Sequence, residues 1–430
     1  SSATSDFTGA FNISTGTVRI SSSSALGATS GTTISAGAAL ELVGGITVST
    51  PLTINGSGDL SGGALRNISD ANTYSGPITL ASNGRINADA GTLLLSGGIT
   101  STSSTLTIGG AADITISAAI GLGTGSLVKD GANTLSLTHA NTYANTTLTG
   151  GILSLGAASA IPTSAGTITF GGGMLQFTSS NTYDYSGLFD SSTANQAFKF
   201  DTNGQTVTFA SSITSTGGTL AKYGTGTLIL SGSNGYTGAT TINTGTLRAQ
   251  NNTALGTTTG GVTVSSGSAL ELSGSITIGA EAMTVSGSGV NGAGVIKNVS
   301  GNNTYQGAIT LGSDSVFSSD SGTVTLSGAI GGSGKSITAI GSANIVISGN
   351  IATLAGSITK GLTSSDTGVL TLSGSSNSYT GGTTISYGTI SIGYANALNT
   401  GAVFVDSGAH LNVASSISAA TIPKITGSGY

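Results

Sequence analysis

The chain repeats itself on two scales, and this self-similarity constrains its fold more than any other feature of the sequence. Residues 56–99 align without a gap on residues 287–330, a shift of 231 positions, and 21 of the 44 aligned residues are identical. This predicts a duplicated β-solenoid module, the first at residues 1–229 and the second, continuous with it, at residues 230–430. Because the composition is uniform from end to end, we expect one elongated body.

A shorter unit recurs inside each module. Its clearest copy runs from Lys222 to Arg248, relatives begin at Lys129 and Lys360, and a partial copy begins at Phe7. A unit of this size cannot enclose a core of its own and must stack on its neighbours. The repeat therefore predicts an all-β fold built by stacking.

Short alternating apolar runs fill the unit, as in Thr-Leu-Ile-Leu-Ser at 227–231. Such alternation predicts strands in which Leu228 and Leu230 face inward while Thr and Ser face outward. Glycine, with 71 copies in the chain, supplies the positive-φ corners that let short strands follow one another closely. Strands that stack in parallel between such corners form a parallel β-solenoid.

The unit resembles the autotransporter-associated β-strand repeat of large bacterial surface proteins, whose pattern is K-x-G-x-G-T-L-x-L-[ST]-G-x-N-x-Y-[TS]-G-x-T-x-[IV]-x-x-G-T-L. Residues 222–247 match almost completely, and the copy from Lys360 to Ile390 has extra residues soon after the lysine. In the looser match at 129–152, Asn145 stands where the best copy has Gly238. The resemblance implies a right-handed parallel β-helix outside a bacterial cell, and it is specific for architecture rather than for activity.

The composition excludes several partners and compartments. Charged residues make up only 6% of the chain, and its 11 Lys and Arg are scattered singly at a net charge of −5. No basic stripe is available for nucleic acid or for an anionic membrane surface. The apolar runs fall far short of the roughly 20 residues of a membrane-spanning helix, so we predict no direct membrane insertion. The absence of cysteine excludes disulfides and thiolate metal sites.

Three residue types mark fixed points of the unit. We predict an internal ladder of aromatic rings that stack along the solenoid, with sugar stacking as the alternative, at Phe7, Tyr74, Tyr143, Tyr236, Tyr305 and Tyr379. An asparagine precedes each tyrosine by two positions and is predicted to form an amide ladder or to hold turns: Asn72, Asn141, Asn234, Asn303 and Asn377. A lysine marks the third fixed point and is also predicted to be structural: Lys129, Lys222 and Lys360.

The titratable residues do not suggest catalysis. His139 and His410 are too distant along a solenoid to share a site, and each is interpreted as a non-catalytic residue. The tightest acidic groupings, Asp184 with Asp190 and Asp314 with Asp320, have no Arg or Lys within a few residues. We therefore predict no catalytic residue.

Binding motifs for cofactors and metals are also absent from the sequence. Residues 331–336, Gly-Gly-Ser-Gly-Lys-Ser, resemble the end of a phosphate-binding loop, but the following Ile-Thr-Ala-Ile indicates a strand where that loop requires a helix. The segment is interpreted as a turn. Calcium-binding Gly-Gly-x-Gly-x-Asp repeats do not occur. We expect neither a cofactor nor a metal.

These features predict a non-catalytic, extracellular or cell-surface structural β-solenoid that stacks head to tail with copies of itself as a fibre or filament subunit. The segments 5–10 and 425–430 resemble neighbouring parts of residues 230–239, so the end of one copy would continue into the start of the next. The first alternative is an adhesin or autotransporter-type passenger that binds cell-surface glycans or cells through its flank. A carbohydrate-active β-helix enzyme is the second.

Overall fold

The computed structural model describes residues 5–164, 166–415, 417 and 424–429. Its elements are short β-strands, with no α-helix among these residues. Three single-turn 3-10 helices interrupt the strands, at Asp59–Ser61, Ser186–Leu188 and Val290–Gly292. The chain divides into two compact units, Ser1–Gln205 and Thr206–Tyr430. The module boundary at 229/230 comes from the sequence duplication and stays a prediction.

The first unit contains strands of two to eleven residues. They are β1 (Phe11–Ile13), β2 (Thr17–Ile20), β3 (Thr32–Ile34), β4 (Ala39–Leu42), β5 (Thr47–Val48), β6 (Leu52–Gly56), β7 (Leu65–Asn67), β8 (Ala71–Tyr74), β9 (Ile78–Ala88), β10 (Thr92–Leu95), β11 (Ile99–Thr100), β12 (Leu106–Gly110), β13 (Asp113–Ile116), β14 (Ile120–Gly121), β15 (Leu127–Lys129), β16 (Thr134–Leu137), β17 (Thr146–Leu148), β18 (Ile152–Leu155), β19 (Ile168–Phe170), β20 (Met174–Gln176) and β21 (Ala197–Asp201).

The second unit has strands of the same kind. They are β22 (Thr206–Phe209), β23 (Thr219–Tyr223), β24 (Thr227–Leu230), β25 (Thr240–Ile242), β26 (Thr246–Ala249), β27 (Val262–Val264), β28 (Ala269–Ser273), β29 (Thr277–Ile278), β30 (Met283–Gly287), β31 (Ile296–Ser300), β32 (Asn302–Tyr305), β33 (Ile309–Ser319), β34 (Thr323–Leu326), β35 (Ile330–Gly331), β36 (Ile337–Ile340), β37 (Asn344–Ile347), β38 (Ile351–Ala352), β39 (Ile358–Lys360), β40 (Val369–Leu372), β41 (Thr383–Ile385), β42 (Thr389–Ile392), β43 (Val403–Val405), β44 (His410–Val413) and β45 (Ile425–Gly427).

Within each unit the strands form three parallel ladders, one on each side of the coil. In the first unit the ladders run β1-β3-β6-β9-β11-β14, β2-β4-β7-β9-β12-β15-β17-β19 and β5-β8-β10-β13-β16-β18-β20-β21. In the second they run β22-β24-β26-β28-β31-β33-β36-β39-β41-β43-β45, β23-β25-β27-β30-β33-β35-β38 and β29-β32-β34-β37-β40-β42-β44. The long strands β9 and β33 turn a corner and serve two ladders each.

A parallel β-solenoid follows from the register of these ladders. Thr92 pairs with Asp113, 21 positions further along, and Thr227 pairs with Thr246, 19 positions further along. Each strand therefore meets its counterpart one coil later. The repeat unit from Lys222 to Arg248 spans more than one coil, because it contains β24 and reaches into its partner β26. The predicted all-β, parallel β-helix fold class is confirmed.

The core is a column of mostly aliphatic side chains inside the coils, and buried phenylalanines such as Phe170, Phe198 and Phe200 contact one another within it. Leu228 and Leu230 of β24 are fully buried, while the alternating Thr227 and Ile229 are half-buried, so the predicted inward face of this strand is confirmed. Each fully buried leucine contributes about 1.5–3 kcal/mol relative to exposure. Packing between coils is the main source of this stabilisation, because a single coil has no interior of its own.

Glycine is required where the corners of successive coils come close together. Gly91 and Gly322, which occupy the same place in the two copies, have φ angles of 71° and 78°. A β-carbon at Gly91 would lie 2.1 Å from the carbonyl oxygen of Asp70, and one at Gly322 would lie 2.3 Å from that of Gly301. Only a residue without a side chain fits both the conformation and the space.

Candidate functional site

The lysine of each repeat is buried at a corner of the solenoid. Lys129, Lys222 and Lys360 end or nearly end the strands β15, β23 and β39, and their side chains are at most 1% exposed. The Nζ of Lys222 donates to the carbonyl oxygens of Tyr223 at 2.8 Å, Gly224 at 2.8 Å and Thr244 at 3.2 Å. An ammonium has three hydrogens to donate, so these acceptors use its full capacity.

Lys129 occupies the equivalent position and bonds to the equivalent carbonyl oxygens, with the Asn133 side chain as an additional acceptor. Lys129 donates to Asn133 Oδ1 at 2.7 Å, to the carbonyl oxygen of Gly150 at 3.3 Å and to the carbonyl oxygen of Asp130. Burial lowers the pKa of Lys129 to about 8, although the nearby carboxylates of Asp130 and Asp113 oppose this shift. The lysine therefore remains charged at neutral pH. It joins a corner to the next coil, since Gly150 follows Lys129 by one coil.

Three of the repeated asparagines, Asn141, Asn234 and Asn377, each connect three successive coils. Asn234 Oδ1 accepts the backbone N–H of Ile213 in the preceding coil at 2.9 Å, and its Nδ2 donates to Ala254 O in the following coil at 2.7 Å. Asn141 and Asn377 make the same two contacts with their own neighbours. Both ends of the amide are used on the backbone of other coils. These asparagines tie coils together in addition to holding turns.

The five repeated tyrosines lie in the interior, between 0% and 4% exposed. The hydroxyl of Tyr236 lies 2.6 Å from Thr240 Oγ1, and Tyr379 is 3.0 Å from Thr383 Oγ1. Tyr74 instead donates to the carbonyl oxygen of Thr50, at 2.9 Å. Burial raises the pKa of Tyr74 and of Tyr379 to about 12 and raises that of Tyr143, Tyr236 and Tyr305 as well. All five remain neutral hydrogen-bonding groups at physiological pH.

The predicted stacking of ring on ring does not describe this arrangement. In the parallel register Tyr74 sits between Val48 of the preceding coil and Leu95 of the following coil. Tyr305 likewise sits between Ile278 and Leu326. These two rings pack between aliphatic residues of the neighbouring coils, because the tyrosine recurs only after several coils. The interior position leaves these rings unavailable for sugar stacking.

Phe7 differs from the five tyrosines with which it was grouped. It is 43% exposed and contacts Phe11 edge to face, with ring centroids 6.1 Å apart. The partial copy at the start of the chain therefore does not place its aromatic residue in the core. The sequence signal was weak at this point, because the copy lacks the lysine strand that begins the other units.

The two acidic groupings noted in the sequence differ in their contacts. Asp314 Oδ1 accepts the backbone N–H of Ser336 in the next coil at 2.9 Å, and Asp320 pairs with Lys297. Asp184 and Asp190 instead serve local turns. Asp184 Oδ1 accepts the backbone N–H of Ser186 at 2.9 Å, and Asp190 Oδ1 accepts that of Ser192 at 2.8 Å. Hydrogen bonds from Ser192 and Thr193 lower the pKa of Asp190 to about 2. These carboxylates cap the loops in which they lie, as Asp residues in turns commonly do.

The glycine-rich segment is placed as the sequence indicated, and the two histidines lie in different units. His139 is exposed, lies in the first unit and has its Nδ1 2.9 Å from the carbonyl oxygen of Ala140, while His410 begins β44 in the second unit. Residues 331–336 end β35 and form a turn before strand β36. Since a strand follows this turn, the segment lacks the helix N-terminus that a phosphate loop requires.

The ion pairs between neighbouring coils were missed from the sequence. On one side of the first unit Glu41 lies 2.8 Å from Arg19 and 3.3 Å from Arg66, and Arg66 lies 2.6 Å from Asp89. Arg248–Glu271 and Lys297–Asp320 also join neighbouring coils, whereas Arg85–Asp130 spans two coils. The available signal was the recurrence of opposite charges one coil apart, as at Arg19 and Glu41, which are 22 positions apart and directly paired.

Three segments of the chain match the passenger-associated-transport-repeat family, at residues 127–155, 220–249 and 362–392. The chain carries passenger-associated transport repeats. The first two matched segments include the buried lysine and end in the strand of the next coil, and the third begins two residues after Lys360. This agrees with the resemblance noted from the sequence. No curated protein and no solved structure matches the chain significantly.

The passenger-associated repeats and the solenoid fit an autotransporter passenger-like domain, and the family implies a secreted or cell-surface protein of structural or adhesin type. In the part of the chain that the structure describes, no helix is long and apolar enough to cross a membrane. The repeated lysine, asparagine and tyrosine side chains are buried and hydrogen-bonded mainly to backbone. Their arrangement supports the architecture of the coils.

Proposed function

We propose that this chain is a non-catalytic structural segment of an extracellular bacterial surface protein. The observation that carries the proposal is the use made of the repeat's polar residues. Lys222, Asn234 and Tyr236 are 4% exposed or less. The lysine and the asparagine bond to backbone carbonyl oxygens of the next coil, and the tyrosine hydroxyl bonds to the buried hydroxyl of Thr240. Residues that recur to build the interior of a solenoid favour a role that depends on shape and durability.

The proposed partner is a further copy of the same chain, joined end to end. A parallel solenoid presents unpaired N–H and C=O groups along the edge of a terminal coil, and such edges pair readily with another chain. Both edges have the same strand direction, so a head-to-tail contact would continue the ladders. This contact is heterologous and generates a filament when it does not close into a ring.

Sedimentation velocity over a range of concentrations, combined with electron microscopy, tests the filament. We expect the sedimentation coefficient to rise with concentration and filaments to appear. A folded protein fused to one end should limit growth to short assemblies, whereas an unstructured tail of equal length should not. A chain that remains monomeric at high concentration contradicts the filament proposal.

The proposed lack of catalysis is tested separately on polysaccharides. Incubation of the chain with a panel of plant, bacterial and animal polysaccharides should release no reducing ends and no unsaturated products. If products are released, and Asp184→Asn or Asp190→Asn abolishes their release, the carbohydrate-active alternative replaces the structural one. If the wild-type chain releases no products from any polysaccharide, the result supports the structural role.

A further inference from the structure

One repeat carries an inserted loop that the other two lack. Nine positions separate Lys360 from Val369, the first residue of β40, whereas five separate Lys222 from Thr227 and five separate Lys129 from Thr134. The insertion lies at the corner after the buried lysine. We name residues 361–367 the corner loop.

The corner loop is held in place by hydrogen bonds to Asp366. The Oδ2 of Asp366 accepts the backbone N–H groups of Leu362 and Thr363, each at 2.8 Å, and its Oδ1 accepts that of Gly341 at 2.7 Å. Lys360 Nζ donates to the carbonyl oxygen of Asp366 at 2.9 Å. A carboxylate that accepts several backbone N–H groups makes charge-assisted bonds, so the loop is well organised before any partner arrives.

This organised loop exposes an apolar side chain beside an aromatic ring. Leu362 is 57% exposed and Tyr387 is 39% exposed, and the two line the same cleft. The backbone of Gly361 lies against Tyr387, because a β-carbon at Gly361 would meet the Cβ of Tyr387 at 2.7 Å. The positions equivalent to Tyr387 in the other repeats hold Gly150 and Thr244. The exposed ring therefore belongs to this repeat alone among the three.

Polar groups surround the two apolar side chains. The cleft has a volume of about 460 Å³, and its remaining side chains are the Asp406 carboxylate and the hydroxyls of Ser386, Ser407 and Ser428. The cleft is open to solvent, so a ligand would lie across it with one face exposed. An amphipathic ring with hydroxyl and carboxylate groups at its margin suits a ligand that has an apolar face and polar edges.

We propose that this cleft binds a saccharide. The C–H face of a sugar ring would pack on Tyr387 and Leu362, and its hydroxyls would donate to the Asp406 carboxylate and exchange hydrogen bonds with the serines. A partner with a purely apolar surface would cover the Asp406 carboxylate, which would then lose its bound water without gaining a hydrogen bond. The site goes beyond the structural role, and the filament contact does not depend on it.

Saturation-transfer NMR of the full chain with a panel of named probes tests the proposal: maltotriose, cellotriose, mannotriose, galactobiose and N,N′-diacetylchitobiose at millimolar concentration. We expect at least one to bind. Tyr387→Thr should weaken that binding about tenfold, which corresponds to the loss of one aromatic contact of about 1.4 kcal/mol. Tyr387→Phe should retain it. Because Thr244 stands at the same point of the second repeat, the threonine variant is expected to fold.

Tyr394 provides the matched control. It is 46% exposed but does not line the cleft, so Tyr394→Thr should bind like the wild type. Asp406→Asn should also weaken binding, by removing the charged acceptor. Failure of every probe to bind, equal binding by the Tyr387→Thr variant, or equal loss in the Tyr394→Thr control would each overturn the proposal. Binding by an apolar peptide alone would assign the cleft to a protein partner and overturn it as well.

Discussion

The two copies of the duplicated segment, residues 56–99 and 287–330, are alike in the interior and differ on the outside. In the first copy Asn72 Nδ2 donates to Asn67 Oδ1 at 2.6 Å, and Asn72 Oδ1 accepts the N–H of Ile46 at 2.7 Å. In the second copy Asn303 makes the same two contacts, with Asn298 at 2.5 Å and with Ile276 at 2.8 Å. The interior partners are largely backbone groups, which no substitution removes.

The outer surface of the same region is kept in part, because the Arg66–Asp89 ion pair of the first copy recurs as Lys297–Asp320 in the second. Elsewhere on that surface the two copies differ. In the first copy Arg85 pairs with Asp130 at 2.6 Å, and a β-carbon at Gly109 would lie 1.9 Å from the Asp130 carboxylate. The positions 231 residues further along hold Val316, Ile340 and Gly361. Where the first copy has an ion pair that passes over a glycine, the second copy has two aliphatic side chains and a glycine. At the surface, a polar group that loses its partner can bond to water, whereas a buried amide cannot. The outside is therefore less constrained than the interior.

One interior position differs between the two copies. Tyr74 donates to the carbonyl oxygen of Thr50, and Tyr305 donates to that of Glu281 at 2.8 Å, so the backbone contact is the same in both copies. The side chains differ, because Glu281 is only 2% exposed and its Oε2 has no hydrogen-bond partner among the described residues. Burial raises the pKa of Glu281 to about 7. The second copy thus contains a buried carboxyl where the first has a hydroxyl.

The largest expected effect comes from removing the shared asparagine. Asn72→Ala or Asn303→Ala leaves a backbone N–H of the preceding coil and the amide oxygen of a nearby asparagine unpaired, at about 1–3 kcal/mol for each group. We expect each variant to lose about 3 kcal/mol or more of unfolding free energy, measured by urea unfolding with circular dichroism. Asn302→Ala, at the exposed neighbouring position, is the control and should change little. Tolerance of the substitution in one copy only would show that the two interiors are not equivalent.

The next effect is a pH dependence confined to the second copy. The pKa of Glu281 in the folded state, about 7, is above its ordinary value of 4.5, so the folded protein holds this proton more tightly than the unfolded one. The resulting stabilisation is fully present below about pH 4.5 and is lost as the pH rises through 7. We expect this group to contribute a loss of about 2 kcal/mol across that range, allowing for partial solvation.

Glu281→Thr, which installs the residue of the first copy, should remove this pH dependence. The measurement is the urea midpoint at several pH values between 4.5 and 7.5, with Glu271→Thr, a paired glutamate nearer the surface, as the comparison. An unchanged pH profile in the Glu281→Thr variant would mean that the carboxyl is solvated or finds a partner in solution.

Much of the fold could be predicted from the sequence, and the reason lies in the repeat. The alternation at Leu228 and Leu230 and the recurring glycines specify strands and corners, and the small repeat specifies stacking. The structural role of the lysines was predicted, but not their acceptors, because Thr244 lies a coil away from Lys222. Contacts such as Arg85–Asp130 join residues 45 positions apart and depend on coil length, which the sequence gives only approximately. The exposure of Phe7 was missed because an incomplete unit leaves its aromatic residue without the usual neighbours.

The smallest expected effect concerns the outer ion pair of the first copy. Replacing Arg85 and Asp130 by the residues of the second copy, Arg85→Val and Asp130→Gly, removes a pair whose side chains are 19% and 30% exposed. A double-mutant cycle should give a coupling of about 1 kcal/mol at low salt that falls as the ionic strength rises. The Lys297–Asp320 pair, whose carboxylate is 46% exposed, should show a smaller coupling. Because exposed charges are screened by salt whereas the buried amides are not, the asparagine variants should show no comparable salt dependence, and a salt-independent coupling at Arg85–Asp130 would contradict the distinction between the outside and the interior.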